Sequence, residues 1–282
     1  MLLAGLAFAA PVNAFSTTNP VEYHDAGDPS YHGLGFLEGG RELYVGGCQV
    51  FSIDARTRPA GCRYPMHTRW ASVSPDGSMV LATAVNPHTQ RAKSYILDAQ
   101  SGKVLSAKPG IRFAPPVAVH PKNQYWAVVR GPGKGDASET VEIVNRDWSV
   151  RQRGLYAETH RIFSLEFSPS GHELYVNGGG PTDGATLDTD SWRVMAVPQV
   201  QQSAGLLLRS ANGRFLLRQQ DAQVVVVDVS MGRNVAAIEL DLSREEPQAA
   251  FSQDGRWLAV KGYTRDVGNQ RYVFALVPLP RD

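Results

Sequence analysis

The 282-residue sequence contains little that points to a membrane or to nucleic acid. After its first residues, no apolar run approaches the roughly 18 residues that a membrane-spanning helix requires. The 28 Lys and Arg residues nearly balance the 27 Asp and Glu residues, and the net charge of +1 provides no general attraction to nucleic acid or to an anionic membrane. We therefore expect no transmembrane segment and no nucleic-acid partner.

Helical patterning and cysteine are also scarce. Short apolar stretches separated by turn residues recur instead of amphipathic helical patterns, which predicts an all-β protein. The two cysteines, Cys48 and Cys62, enclose the segment CQVFSIDARTRPAGC, which predicts strand, turn and strand. We expect a disulfide between them that stabilises the fold by about 3 kcal/mol in the chain-entropy model. A metal site is the alternative, but no Cys-x-x-Cys spacing supports it.

The N-terminal segment MLLAGLAFAAPVNA has the pattern of an export signal. It is an apolar run that ends in small residues at the positions a signal peptidase reads, although it lacks Lys or Arg near its start. We expect residues 1–14 to be a signal peptide and residues 15–282 to form a single domain in the periplasm or outside the cell. A disulfide is compatible with such an oxidising compartment.

One short motif occurs six times along the chain. Its copies are FLEGGRELYV (36–45), VSPDGSMVLA (73–82), VHPKNQYWAV (119–128), FSPSGHELYV (167–176), RSANGRFLLR (209–218) and FSQDGRWLAV (251–260). The anchor residues are Gly40, Gly77, Asn123, Gly171, Gly213 and Gly255. They recur about every 43 residues, a period typical of propeller blades.

Each repeat divides into strands a to d, with the motif at the a–b turn. The second repeat predicts strands at Trp70–Val73, Met79–Thr83, Lys93–Leu97 and Val104–Ala107. The sixth repeat provides only strands a to c, so we expect residues at about 16–24 to supply its outer strand. The sequence therefore predicts a six-bladed β-propeller of four-stranded antiparallel blades, closed by an N-terminal strand.

The turn motif has the chemistry of a structural element. Pro at its second position presets φ, and Gly or Asn at the anchor tolerates positive φ. The segments SVSPDGSMVLAT, EFSPSGHELYVNG and AFSQDGRWLAVKG resemble the SPDG segment of WD-repeat propellers and of TolB-type periplasmic propellers. This resemblance implies a propeller over residues of about 31–279. The repeats lack the Gly-His and Trp-Asp pairs of WD repeats, and the chain lacks the α/β domain of TolB-like proteins, so neither family's partners are carried over.

Loop lengths indicate which side of the propeller binds a partner. In a propeller, the b–c and d–a loops share one face, which we call the loop face, and the a–b and c–d turns share the opposite turn face. The b–c loops are long in repeats two, three, four and six, and loops on a rigid scaffold commonly carry recognition. The candidate residues precede the inner strands and should surround the channel mouth: His32, His67, Arg69, Trp70, Arg112, Phe113, His160, Arg161, Glu245 and Glu246.

We expect these residues to bind another protein without catalysis and without a cofactor, on a propeller that is monomeric by itself. A second interpretation is an immunity protein that neutralises a secreted toxin. A third is an enzyme at the channel mouth, which would need carboxylates such as Glu158 there; no Gly-x-Ser-x-Gly nucleophile motif is present. A metal held by His32, His67 and His160 is a further alternative.

Overall fold

The computed structural model describes most of the chain after its N-terminal segment. The described residues are 21–27, 32–58, 61–64, 68–86, 88–89, 91–110, 116–130, 139–155, 162–168, 170–178, 184–195, 206–210, 212–220, 223–241, 248–264 and 270–281. Within them the regular secondary structure is almost entirely strand, with one short 3-10 helix at Glu38–Gly40. No helix in this part of the chain is long and apolar enough to cross a membrane.

The strands are numbered in chain order. They are β1 (Glu22–Asp25), β2 (Gly35–Phe36), β3 (Glu42–Gly46), β4 (Gln49–Ser52), β5 (Trp70–Val73), β6 (Met79–Val85), β7 (Ala92–Asp98), β8 (Val104–Pro109), β9 (Val117–Val119), β10 (Tyr125–Arg130), β11 (Thr140–Asn145), β12 (Val150–Leu155), β13 (Ile162–Phe167), β14 (Glu173–Gly178), β15 (Gly184–Asp188), β16 (Val194–Met195), β17 (Leu206–Arg209), β18 (Phe215–Gln220), β19 (Gln223–Asp228), β20 (Arg233–Ile238), β21 (Leu240–Asp241), β22 (Gln248–Phe251), β23 (Trp257–Thr264) and β24 (Tyr272–Pro278).

These strands form six antiparallel sheets, which confirms the predicted six-bladed propeller. Blades two to five are β5–β8, β9–β12, β13–β16 and β17–β20, each in sequence order from the inner to the outer strand. Blade one comprises β2, β3 and β4, and an isolated bridge joins Ser52 to Thr57 beyond β4. The four strands predicted for the second repeat match β5 to β8 closely.

The sixth blade combines both ends of the described chain. Its order from the inner strand is β22, β23, β24 and β1, with β21 also paired to β23. Strand β1 runs antiparallel to β24, with Glu22 opposite Leu276 and Asp25 opposite Val273. The outer strand of this blade therefore comes from residues 22–25, at the C-terminal end of the predicted segment, and residues 16–20 lie outside the described part.

The core lies between neighbouring blades. Strand β10 shows how: Tyr125 and Ala127 pack toward blade four, whereas Trp126 and Val128 pack toward blade two. Because both faces of the sheet are buried, the strand is a continuous apolar run rather than an alternating one. Apolar clusters fill the seams between blades one and two, two and three, three and four, five and six, and six and one.

The repeated turn forms as its chemistry predicts. In all six copies the anchor N–H donates to the carbonyl three residues earlier, at 2.7 to 3.0 Å, and the anchor has positive φ, including Asn123 at 53°. In the four copies with a serine at the first turn position, its hydroxyl accepts a further bond: Ser74 Oγ accepts from the N–H of Met79 at 2.9 Å, and Ser252 Oγ accepts from that of Trp257 at 2.9 Å. These bonds make the turn a self-contained structural unit.

The predicted disulfide is present. Cys48 and Cys62 are joined, with their Cα atoms 5.0 Å apart, and Cys48 is buried in the seam between blades one and two. The bond links the turn between β3 and β4 to the segment that follows β4 in blade one.

Candidate functional site

The structure describes three of the ten residues predicted at the channel mouth. His32, Arg69 and Trp70 come together where blade one meets blade two. The other seven lie outside the described residues: His67, Arg112, Phe113, His160, Arg161, Glu245 and Glu246. Glu158, on which the enzyme interpretation depends, lies outside them as well.

His32 is fixed by blades two and six. Its N–H donates to the Arg69 carbonyl at 2.7 Å, and its own carbonyl accepts from Ala71 N at 3.0 Å. The Gln248 side chain accepts from Gly33 N at 2.6 Å through Oε1, which leaves its Nε2 to donate to His32 Nδ1 at 3.0 Å. A Nδ1 atom that accepts this bond is not available to a metal. The part of the chain that the structure describes holds no group of three His, Cys, Asp or Glu side chains placed to bind a metal ion.

Arg69 and Trp70 form a stacked pair at the start of β5. The exposed Arg69 guanidinium lies 4.8 Å from the centroid of the half-buried Trp70 ring. The Arg69 main chain is held by its N–H, which donates to Thr83 O at 2.9 Å, and by its carbonyl, which accepts from His32. Such a cation–π contact contributes about 0.5 to 1 kcal/mol at an exposed site. The pair therefore presents a flat, cationic surface on a rigid backbone.

A cavity of about 500 Å³ occupies the central channel. Most of its wall is apolar, from residues such as Val117, Leu165 and Phe251 on the inner strands. The wall continues to Asp76 and Gln253 in the a–b turns, so the cavity extends toward the turn face. A mostly apolar cavity of this size with few polar groups is typical of small-molecule sites.

Two charged residues interrupt the apolar wall, at successive positions of the inner strands of two neighbouring blades. Glu166 lies two residues before Ser168, the first residue of the repeated turn in blade four. The corresponding residues of the other blades are small or apolar: Gly35, Ser72, Ala118, Leu208 and Ala250. Arg209 lies one residue before Ser210, the first residue of the turn in blade five. Its counterparts in the other blades are all apolar: Phe36, Val73, Val119, Phe167 and Phe251.

The surroundings of Glu166 favour its neutral form. Burial raises the pKa of Glu166 from 4.5 to about 7, while the charge and the main-chain N–H of Arg209 act in the opposite direction. Tyr175 lies opposite Glu166 across the β13–β14 pair, and the Arg209 guanidinium lies 6.0 Å from the Tyr175 ring centroid. Burial and a hydrogen bond that Tyr175 donates to Glu173 raise the pKa of the tyrosine to about 12.

Neither Glu166 nor Arg209 is among the site residues predicted from the sequence. Their signal is present in the repeats, because LEFSPS and LLRSAN carry a charge where the other inner strands have only small or apolar residues. Finding it requires comparing strand a across all six copies rather than the turn alone. The two positions face the channel only because the inner strands line it, and this placement follows from the ring of blades.

Comparison with known proteins supports the fold and goes no further. No family model matches the chain, and no curated protein sequence matches it. Among solved structures, a chain of hydrazine synthase from Kuenenia stuttgartiensis is similar, with a TM-score of 0.50 and 15% sequence identity over 84% of this chain and 77% of that chain. The similarity to WD-repeat and TolB-type propellers stays a prediction. The comparison therefore places this chain among proteins with a similar fold.

Proposed function

We propose that this protein is an exported, non-enzymatic propeller that binds another protein through its loop face. The observation that carries the proposal is the Arg69–Trp70 pair, an exposed guanidinium stacked 4.8 Å from the indole centroid at the channel mouth. Trp and Arg are enriched among residues that dominate binding energy at protein interfaces. Trp70 is the first residue of β5, and the main chain of Arg69 just before it is hydrogen-bonded to Thr83 and His32. The backbone therefore loses little conformational freedom when a partner binds.

The rest of the molecule is compatible with this role. The Cys48–Cys62 disulfide supports export, since disulfides persist in oxidising compartments. The six-bladed ring provides a rigid support for the loops, which connect strands whose apolar faces are buried between blades.

Site-specific crosslinking tests the proposal. A photoreactive amino acid replaces Thr89, in the exposed b–c loop of blade two, so that Arg69 is retained, and the protein is irradiated in a periplasmic extract. We expect a discrete adduct from this position and none from Arg193, an exposed arginine on the c–d turn of the opposite face. An equal adduct from both positions, or none from either, would contradict binding through the loop face.

Charge reversal then measures the contribution of the pair. The partner identified by crosslinking is purified, and its affinity for variants of the propeller is measured. Arg69→Glu is expected to weaken binding at least tenfold, because the substitution replaces the cation beside the indole with a carboxylate. Arg193→Glu makes the same change in charge at an exposed site of the turn face and should bind like the unmodified protein. Equal affinities for the two variants would remove Arg69 from the interface.

A further inference from the structure

The seam between blades four and five differs from the other seams. Apolar clusters fill the other five, whereas the described side chains at this seam include Glu166, Glu173, Tyr175 and Arg209. Charged groups removed from water cost free energy unless they are well paired. A buried charge also lies between blades six and one, but there Lys261 Nζ donates to Val45 O at 2.8 Å and the seam is otherwise filled by an apolar cluster.

The two charged side chains on the cavity wall meet at this same seam. Glu166 belongs to β13 of blade four and Arg209 to β17 of blade five, and both line the cavity. The remaining charged residue among the described lining residues is Asp76, at the turn end. Its carboxylate already accepts hydrogen bonds from Ser74 at 2.6 Å and from Asn123 at 2.7 Å. The polar chemistry inside the apolar cavity is therefore concentrated at one point of its wall.

We propose that this cavity binds a small molecule with an apolar body and a single carboxylate, which pairs with Arg209 and lies against the Glu166 carboxyl group. The apolar wall removes the body of the ligand from water, and the cavity volume of about 500 Å³ lies within the range of roughly 300 to 1,000 Å³ for small-molecule sites. A carboxylate and a guanidinium match in geometry, because both are planar and form parallel hydrogen bonds.

The charges around Glu166 favour a carboxylate over an amine. The groups that face it are Arg209 from β17 and Tyr175 from β14, with Glu173 bonded to the Tyr175 hydroxyl. Glu166 takes up a proton near neutral pH, and its negative charge then no longer offsets the Arg209 guanidinium on the cavity wall. A guanidinium on this wall attracts an anion and repels an ammonium group.

Calorimetric titration with three probes of matched chain length tests this inference: octanoate, octanol and octylamine. Octanoate should bind with one site per chain and more tightly than octanol, and octylamine should not bind. If the ligand requires protonated Glu166, whose pKa is about 7, the octanoate affinity should fall about tenfold between about pH 6 and about pH 8. Octylamine binding as tightly as octanoate, or no saturable octanoate binding, would overturn the proposal.

Two variants assign the roles of the side chains. Arg209→Met should weaken octanoate at least tenfold, while Arg193→Met, on an exposed turn outside the cavity, should leave it unchanged. Glu166→Gln still donates a hydrogen bond but does not titrate, so it should retain octanoate binding and lose the pH dependence. If Arg209→Met does not fold, the proposal is tested by the pH dependence of octanoate affinity alone. This dependence should be present in the unmodified protein and absent in Glu166→Gln. An unchanged pH dependence in Glu166→Gln would refute the role of that residue.

Discussion

Gly171 and Gly213 occupy the same position of the repeated turn but have different neighbours. Both have positive φ, 80° and 72°. A Cβ atom on Gly171 would lie 2.3 Å from Nε2 of His120 in the neighbouring blade, whereas a Cβ atom on Gly213 would meet nothing within 4 Å. Substituting each by alanine therefore separates the cost of the backbone conformation from the cost of the contact between blades.

The structure gives the expected size of each effect. At Gly213 alanine introduces a left-handed strain of roughly 1 to 2 kcal/mol, partly offset by about 0.4 to 1 kcal/mol from the stiffer unfolded chain. We expect Gly213→Ala to lower the free energy of unfolding by about 1 kcal/mol. At Gly171 overpacking adds a further 1 to 3 kcal/mol or so, for a total loss of about 2 to 4 kcal/mol.

His120 has little room to relieve the contact at Gly171. Its ring centroid lies 4.3 Å from that of Tyr125 and 5.4 Å from that of Phe167, and its Nδ1 accepts a hydrogen bond from Lys122 N at 3.2 Å. The larger loss should therefore appear in equilibrium urea unfolding of Gly171→Ala, measured with the disulfide intact. Losses that agree within error for the two variants would refute the claim that blades three and four are in tight contact at this turn.

Three further predictions concern other parts of the ring. Asn123→Gly should lower the free energy of unfolding by about 1 kcal/mol although Gly suits the turn, because Asn123 donates to Asp76 of the neighbouring blade at 2.7 Å; a stabilised variant in urea would contradict this. Cys48→Ser should lower the melting temperature through a loss of about 3 kcal/mol, and a reductant should lower that of the unmodified protein equally. Because Glu166 has its pKa raised to about 7 in the folded state, its contribution to the free energy of unfolding falls as pH rises from about 4.5 to about 7. Glu166→Gln should therefore be more stable than the unmodified protein at about pH 8 by up to 2 or 3 kcal/mol, and should show no such gain at about pH 4.

The blades and their turns could be predicted because the physics that forms them is local. The Asn123 anchor, for example, follows from the tolerance of asparagine for positive φ, and the structure places it at 53°. The run of four valines at 224–227 predicts a strand in the same way, because β-branched residues suit a sheet buried on both faces, and β19 spans Gln223–Asp228. Neither prediction requires knowledge of the neighbouring blade.

The backbone conformation of the c–d turns could not be predicted from the sequence, because contacts between blades decide it. Trp148 and Trp192 have φ of 70° and 56°, a region that bulky residues rarely adopt. Trp148 Nε1 donates to Ser106 Oγ of blade two at 2.8 Å, and its ring stacks on Trp126 at 6.0 Å. The Trp192 ring packs 5.7 Å from that of Tyr125 in blade three. Packing between blades therefore offsets the local strain, and the local sequence does not reveal it.

The binding residues of the channel wall, like the conformation of the c–d turns, depend on how the blades are arranged and not on the sequence of one repeat. Turn chemistry can be read from one repeat at a time, whereas a site on the channel wall depends on which of six equivalent positions carries a different residue. Glu166 and Arg209 lie in neighbouring blades, at strand positions separated by one residue in the repeat, so they face the same point of the cavity. Because a repeated scaffold has no structural need for such an exception, the residue that breaks the repeat is a better indicator of a binding site than the motif that defines it.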